Sequence, residues 1–92
     1  MSGKLERNRP VAIARGFRLQ WEEAQGAHVL LYPEGMVRLS ESAGAILSRC
    51  DGERTVEGVV NSLKEAFPGA DLEADVVEFL EIARDKGWIV LG

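Results

Sequence analysis

A chain of 92 residues has room for one domain, and with 46% hydrophobic and 28% charged residues it has the composition of a folded protein rather than a disordered one. The net charge is −4, but residues 1–20 hold five basic residues against one acidic residue, so the remaining 72 residues are strongly acidic. This charge disfavours nucleic-acid partners, while a single cysteine and the lack of long apolar runs predict a cytoplasmic protein without disulfides, signal peptide or membrane segment.

The first nine residues are polar and predict a flexible N-terminal tail, so the domain is expected to span residues 10–92. Pro10 opens a short extended stretch that runs to Ile13. The basic residues of this start have two interpretations, a contact surface for an acidic partner or a solvated tail that aids solubility.

Three strands are predicted next. In residues 17–22 apolar and polar residues alternate, a period of two that predicts a strand with one buried face. A second, continuously apolar strand is predicted at 28–32. The run Tyr32-Pro33-Glu34-Gly35 predicts a tight turn, because Pro presets φ at the second turn position and Gly eases the exit. A third strand is predicted at 36–39, which completes an antiparallel meander.

From Ser40 onward the apolar period changes to that of helices. Ser40 is expected to cap the first helix and Asp51-Gly52 to end it, while Thr55 caps a second helix that stops at Pro68-Gly69. The third helix is predicted from Asp71 to Lys86, with acidic residues in its first turn. The positions expected to face the core are Ala43, Ile46, Leu47 and Cys50, then Val56, Val59, Val60, Leu63 and Phe67, then Leu72, Val76, Phe79, Leu80 and Ala83.

This order predicts an α+β domain in which a three-stranded antiparallel sheet is followed by a three-helix bundle. The second and third helices are joined closely enough to form a helix-turn-helix, so the expected architecture is winged helix-turn-helix-like. Residues 89–91 are expected to form an apolar tail after a C-terminal cap at Gly87.

Catalytic and metal-binding residues are sparse. His28 and Cys50 each stand alone, without the nucleophile, base and orienting group that catalysis needs, and both are expected to be structural. No zinc or calcium motif and no glycine-rich phosphate loop is present in the sequence. We therefore expect no enzymatic activity and no cofactor.

Binding functions remain, in three forms. A winged-helix nucleic-acid-binding protein is the alternative that a helix-turn-helix invites, but residues 71–86 hold six acids against two bases. A peptide could instead add as a strand to an exposed edge at 36–39, although the shortness of that strand and Arg38 could equally protect the edge. The same edges could pair two copies in a homodimer.

The sequence closely resembles the PqqD family of pyrroloquinoline quinone biosynthesis. The resemblance is carried by the run HVLLYPEGMVRLSESA from His28 to Ala43, by Ile46-Leu47, Cys50-Asp51-Gly52 and Thr55-Val56, and it extends from about Pro10 to Ile89 with Arg18-Leu19-Gln20-Trp21, Phe79-Leu80 and Gly87-Trp88. One departure is Ser40, where Asn is equally expected; both residues cap helices, so this changes little.

The resemblance implies a peptide chaperone that binds the precursor peptide PqqA and delivers it to the radical-SAM enzyme PqqE, which cross-links a Glu and a Tyr of that peptide. In related precursor-peptide recognition elements the peptide adds beside the third strand and packs on the third helix. The peptide-binding residues implied here are Met36, Val37, Arg38, Leu39, Val77, Leu80, Arg84 and Trp88. Val77 also fits a peripheral core position. Contacts to the enzyme are expected first in the basic first 20 residues.

Overall fold

The structure is a computed structural model that describes residues 5–92. The elements in this range are β1 (Pro10–Ile13), β2 (Arg18–Glu22), β3 (Ala27–Tyr32), β4 (Gly35–Arg38), α1 (Glu41–Leu47), β5 (Asp51–Thr55), α2 (Val56–Ala66), α3 (Glu73–Asp85) and β6 (Ile89–Leu91). The strands form two antiparallel three-stranded sheets, with orders β2-β3-β4 and β5-β1-β6. The α+β class and its three helices are confirmed.

The β2-β3-β4 sheet is the predicted meander. Leu19, Leu30 and Val37 are cross-strand neighbours on the face that meets the helices, and Leu30 is fully buried there. Tyr32 pairs with Gly35 across the two-residue turn, as the turn sequence predicts. The alternation of side chains therefore settles which face of this sheet joins the core.

The second sheet corrects the expected order of three strands followed by three helices. Residues 51–55 were predicted to join two helices and residues 89–91 to form a tail, but both are strands that pair with β1. The sequence of β5, DGERT, lacks any apolar alternation, and all of its residues but Thr55 are exposed. Pairing with a strand some 40 residues away, rather than its own pattern, makes this segment extended.

The helix caps follow the sequence more closely. Ser40 Oγ accepts from the amide of Ala43 at 3.2 Å, and Thr55 Oγ1 accepts from the amide of Gly58 at 3.1 Å, so both predicted caps are confirmed. α3 begins at Glu73, two residues later than predicted, after Leu72, whose side chain makes no capping bond. α1 ends at Leu47, earlier than expected.

The segment before β1 contacts the body of the domain from residue 5 onward, whereas residues 1–4 of the predicted flexible tail lie outside the described part of the chain. Leu5 is only 8% exposed and belongs to the core. The amides of Glu57 and Val56 donate to the carbonyl oxygens of Arg7 and Arg9 at 3.0 and 3.1 Å. Residues 5–9 are thereby bound to the start of α2.

One hydrophobic core joins both sheets and all three helices. Its fully buried large residues include Leu30, Leu47, Val56, Leu80 and Ile89. No helix within residues 5–92 combines the length and apolar character needed to cross a bilayer.

Candidate functional site

The edge of β4 is open, since β3 is its only strand partner within the described chain. The amide of Leu39 donates to the carbonyl oxygen of His28 at 3.0 Å. Antiparallel pairs alternate, so Val37 also bonds to β3, whereas Met36 and Arg38 direct their N–H and C=O groups away from it. β4 therefore presents two donors and two acceptors to an additional strand.

An apolar groove of about 420 Å³ lies between the three helices. Its deepest residues, Ile46, Leu63 and Val76, belong to the core, while Phe67 stands at its side with 49% of its surface exposed. The full lining consists of Glu41, Ser42, Ala45 and Ile46 from α1, Leu63 and Phe67 from the end of α2, and Leu72, Asp75, Val76 and Phe79 from α3 and the residue before it. Such a groove suits apolar side chains of a bound segment.

The open edge and the groove adjoin each other. β4 ends at Arg38, and after only Leu39 and Ser40 the chain enters α1, whose first residues, Glu41 and Ser42, line the groove. The cap made by Ser40 sets the angle at which the strand enters the helix. The end of β4 and the first residues that line the groove are therefore only three positions apart in the chain.

The four predicted site residues on β4 and directly after it differ in exposure. Met36 is 50% exposed and Arg38 is also exposed, whereas Val37 packs partly buried against the core and Leu39 is buried. The side chains of Val37 and Leu39 therefore support the strand from the core side, and Met36 and Arg38 are the residues with free surface.

The four predicted site residues on and after α3 lie away from the groove. Leu80 is fully buried in the core. Val77 lines a shallow depression on another face of α3, Arg84 lies 3.5 Å from the carboxylate of Asp85, and Trp88 packs under the ammonium group of Lys86. The structure does not bring these four residues together with the apolar groove.

Three residues predicted to face the core also line the groove, and two of them, Leu72 and Phe79, do pack partly buried against the core. Phe67, Leu72 and Phe79 were predicted to face inward, and all three keep exposed surface along the groove wall. The sequence feature that could have revealed the groove is the number of large side chains on α2 and α3, which exceeds what so small a core encloses. Nothing in the sequence singled out Glu41, Ser42, Ala45 or Asp75.

The depression that contains Val77 is acidic. It is lined by Arg7, Asp71, Glu73, Ala74, Asp75, Val77, Glu78 and Glu81. Arg7 donates to the carboxylates of Glu57 at 3.1 Å and Glu73 at 2.8 Å, and Lys64 donates to Glu73 at 2.9 Å. This network links the segment before β1 to the starts of α2 and α3.

The network changes the acid–base properties of its members. The Lys64 ammonium and then the Arg7 guanidinium hold the pKa of the Glu73 carboxyl below its usual range. The hydrogen bond that Lys64 donates to Glu73 in turn raises the pKa of the Lys64 ammonium group. At neutral pH the three groups are therefore charged and paired.

His28 and Cys50 both make contacts within the fold. The His28 ring stacks edge-on against Trp21, with centroids 5.1 Å apart. The Cys50 thiol is buried, and its Sγ donates to the carbonyl oxygen of Ile46 at 3.5 Å. Burial, and secondarily the charge of Asp51, raises the pKa of this thiol to about 12, so it is a poor nucleophile.

Candidate metal ligands within residues 5–92 do not cluster. No group of three or more His, Cys, Asp and Glu side chains in this part of the chain is arranged to hold an ion.

Sequence comparisons identify close relatives. A family model described as Coenzyme PQQ synthesis protein D (PqqD) matches residues 27–89. The PqqA binding protein of Azotobacter vinelandii (strain DJ / ATCC BAA-1303) is 58% identical over 80 residues, covering 86% of this chain and 87% of that protein. The PqqA binding protein of Klebsiella pneumoniae (strain 342) is 55% identical over 80 residues, with coverage of 86% and 87%.

A solved structure shares the fold. It is the solution NMR structure of the PqqD truncation of Methylobacterium extorquens PqqCD, described as a functional and stand-alone recognition element for ribosomally synthesized and post-translationally modified peptides. The superposition has a TM-score of 0.74 at 28% sequence identity and covers 94% of each chain.

Proposed function

Because the chain belongs to the PqqD family, we propose that it is a cytoplasmic chaperone that binds the precursor peptide PqqA and presents it to the radical-SAM enzyme PqqE. It performs no chemistry in this proposal. Its relatives named as PqqA binding proteins support the choice of peptide.

The observation that carries the proposal is the open edge of β4 beside the apolar groove. The peptide adds as a fourth strand, bonding to the outward main-chain groups of Met36 and Arg38. Side chains alternate along a strand, so those on the inward face of the peptide reach the groove at Ala45 and Phe79. Main-chain bonds supply affinity and the groove supplies selectivity.

The contribution of α3 is divided between its faces. Phe79 and Asp75 contact the peptide because they line the groove, and Leu80 supports them from the core. The face that contains Val77 and Arg84, with Trp88 beyond it, is an alternative path for the peptide. The experiment below distinguishes the two paths.

We also propose that the domain has the arrangement of a winged helix. α2 and α3 correspond to the helix-turn-helix pair, and the β2-β3-β4 sheet provides the strand edge. The outward carboxylates of α3, including Glu78 and Glu81 in the acidic depression, repel a phosphate backbone. A peptide partner is favoured over DNA on this ground.

An NMR titration tests the proposal. A synthetic PqqA peptide is added to the ¹⁵N-labelled protein, and amide shifts are followed at Met36 and Arg38, with Val77 as the marker of the alternative path. We expect saturable shifts at β4 and in the first turn of α1. Shifts confined to Val77 and Trp88 would move the site to the other face of α3, and no shifts at all would refute peptide binding.

The oligomeric state can be measured with the same protein and peptide. A homodimer that pairs through β4 uses the donors and acceptors that the peptide needs. Light scattering with and without PqqA therefore distinguishes a monomer, a dimer that dissociates as peptide is added, and an assembly independent of β4.

A further inference from the structure

Three arginines near one sheet make no ion pair within residues 5–92: Arg15 in the loop before β2, Arg18 on β2 and Arg38 on β4. Most other basic side chains lie against carboxylates, as Arg54 does at 2.6 Å from Asp51, whereas Arg49 donates to Ser62 and the Ala45 carbonyl and Lys86 lies over Trp88. In a chain of net charge −4, three of the five basic residues without an ion pair in this range therefore lie at the β2-β3-β4 sheet.

Two of these arginines share a face of the sheet. The register aligns Arg18 with Leu31 and Met36, and in the next row Gln20 with Val29 and Arg38. These six residues alternate with the core-facing ones, so they form the face turned away from the helices, and of the six only Val29 is fully buried. We call them the outer sheet face.

The outer sheet face combines charge with apolar surface. Met36 is half exposed and Leu31 is partly exposed, and they lie in one row with Arg18. From strand spacing, the Cα atoms of Arg18 and Arg38 are about 12 Å apart. Glu22 closes the far end of the same face. Arg and Met are enriched in protein interfaces, and an apolar row flanked by arginines fits an acidic, partly apolar protein surface.

We propose that the outer sheet face docks an acidic surface of the enzyme that modifies the bound peptide. This inference rests on the proposed function. Carboxylates of the enzyme pair with Arg18 and Arg38, and its apolar residues cover Met36 and Leu31. A protein fits better than a nucleic acid because two arginines separated by apolar side chains provide few phosphate contacts, and the rest of the chain is acidic.

The position of β4 couples this surface to the peptide. A strand added to β4 extends the same sheet, so its outward side chains lie beside Met36 and Arg38 and enlarge the outer sheet face. The enzyme then contacts chaperone and peptide together, and the loaded chaperone binds it more tightly than the empty one. By linkage, the enzyme also strengthens peptide binding by the same factor.

Arg18→Glu tests the proposal, because Arg18 lies on β2, two strands away from the peptide edge. Affinity for a PqqA peptide is measured first and is expected to be unchanged. Binding of the peptide-loaded protein to PqqE of the same organism is then measured by calorimetry at two salt concentrations. We expect about tenfold weaker binding for Arg18→Glu with a reduced salt dependence, and near-normal binding for Arg18→Lys.

Arg54→Glu is the matched control, since it makes the same charge change on β5 of the other sheet. If Arg18→Glu binds PqqE as tightly as wild type does, the proposed docking surface is wrong. The same holds if Arg54→Glu loses as much PqqE affinity as Arg18→Glu does. Neither outcome contradicts peptide binding. Absence of PqqA binding in the wild-type protein refutes the proposed function itself. Salt-sensitive binding of duplex DNA that is lost in Arg18→Glu assigns the face to nucleic acid instead.

Discussion

Gly44 of α1 lies so close to His28 of β3 that a Cβ atom at position 44 would stand 2.7 Å from Nδ1 and 3.1 Å from Cβ and Cγ of the histidine. The imidazole is held on its other side by the edge-on contact with Trp21. The helix that opens the groove is therefore seated on the sheet through a contact that only a residue without a side chain permits.

Gly44→Ala should lower the free energy of unfolding by about 1–3 kcal/mol, the usual cost of overpacking a core. This loss exceeds the gain of about 0.5–1 kcal/mol that alanine brings to a helix over glycine. Urea denaturation followed by circular dichroism measures the difference. Combining Gly44→Ala with His28→Ala should recover part of the loss, because the closest atom, Nδ1, is then removed.

Gly58→Ala is the control for this prediction. A Cβ at position 58 meets Thr55 Oγ1 at 3.5 Å, an ordinary contact, and the residue is helical. We expect it to stabilise the protein by about 0.5 kcal/mol. If both glycine substitutions shift stability in the same direction, the contact with His28 does not restrict position 44.

Met36→Pro should weaken PqqA binding by about tenfold, because it removes an outward amide that the added strand needs. Met36→Ala keeps that amide and separates the main-chain effect from the side-chain effect. Val37→Pro removes an amide bonded to β3 and should destabilise the fold instead. Isothermal calorimetry on folded variants decides the matter; equal affinities for Met36→Pro and Met36→Ala would falsify strand addition at β4.

Ala45→Trp should reduce PqqA affinity by tenfold or more, on the order of 1.4 kcal/mol, because an indole at this position fills the groove. Ala74→Trp is matched to it, since it adds the same group to the acidic face of α3. Fluorescence anisotropy of a labelled peptide compares the two. A greater loss with Ala74→Trp means that the peptide follows the face of α3 that contains Val77.

Glu73→Gln should make the free energy of unfolding less dependent on pH in the acidic range. Because the pKa of Glu73 is lowered by Lys64 and then Arg7, its contribution to stability is present at neutral pH. That contribution is lost as pH falls through the lowered value of the folded state. Chemical denaturation at pH 7 and pH 3 should therefore show a smaller drop for Glu73→Gln than for wild type. Glu65→Gln, an exposed residue without an ion pair within residues 5–92, should behave as wild type.

Cys50 should react slowly with a thiol reagent at pH 8 in the folded protein and rapidly in urea. Its pKa of about 12 leaves almost no thiolate, and its burial blocks access. Absorbance of the released thiol anion follows the reaction. Full modification of the native protein within seconds would contradict the buried position after α1.

Features set by neighbouring residues could be read from the sequence alone. The caps at Ser40 and Thr55 depend on side chains that reach amides three residues ahead, and the turn at Pro33 depends on backbone preferences. The alternation correctly places Leu19 of β2 and Val37 of β4 against the core, whereas Trp21, in phase with Leu19, is 55% exposed. The β4 strand of the candidate site was predictable for the same reason, because such signals span only a few residues.

The existence of the second sheet and of the groove followed only from the tertiary structure. β5 is extended because β1 pairs with it, and β6 because it joins the other side of β1, so their sequences contain little trace of either pairing. Phe67 and Phe79 have the spacing of core residues, and periodicity gives the direction a side chain faces but not what covers it. Coverage depends on where α1 lies against α2 and α3, which is set by packing between segments distant in the chain.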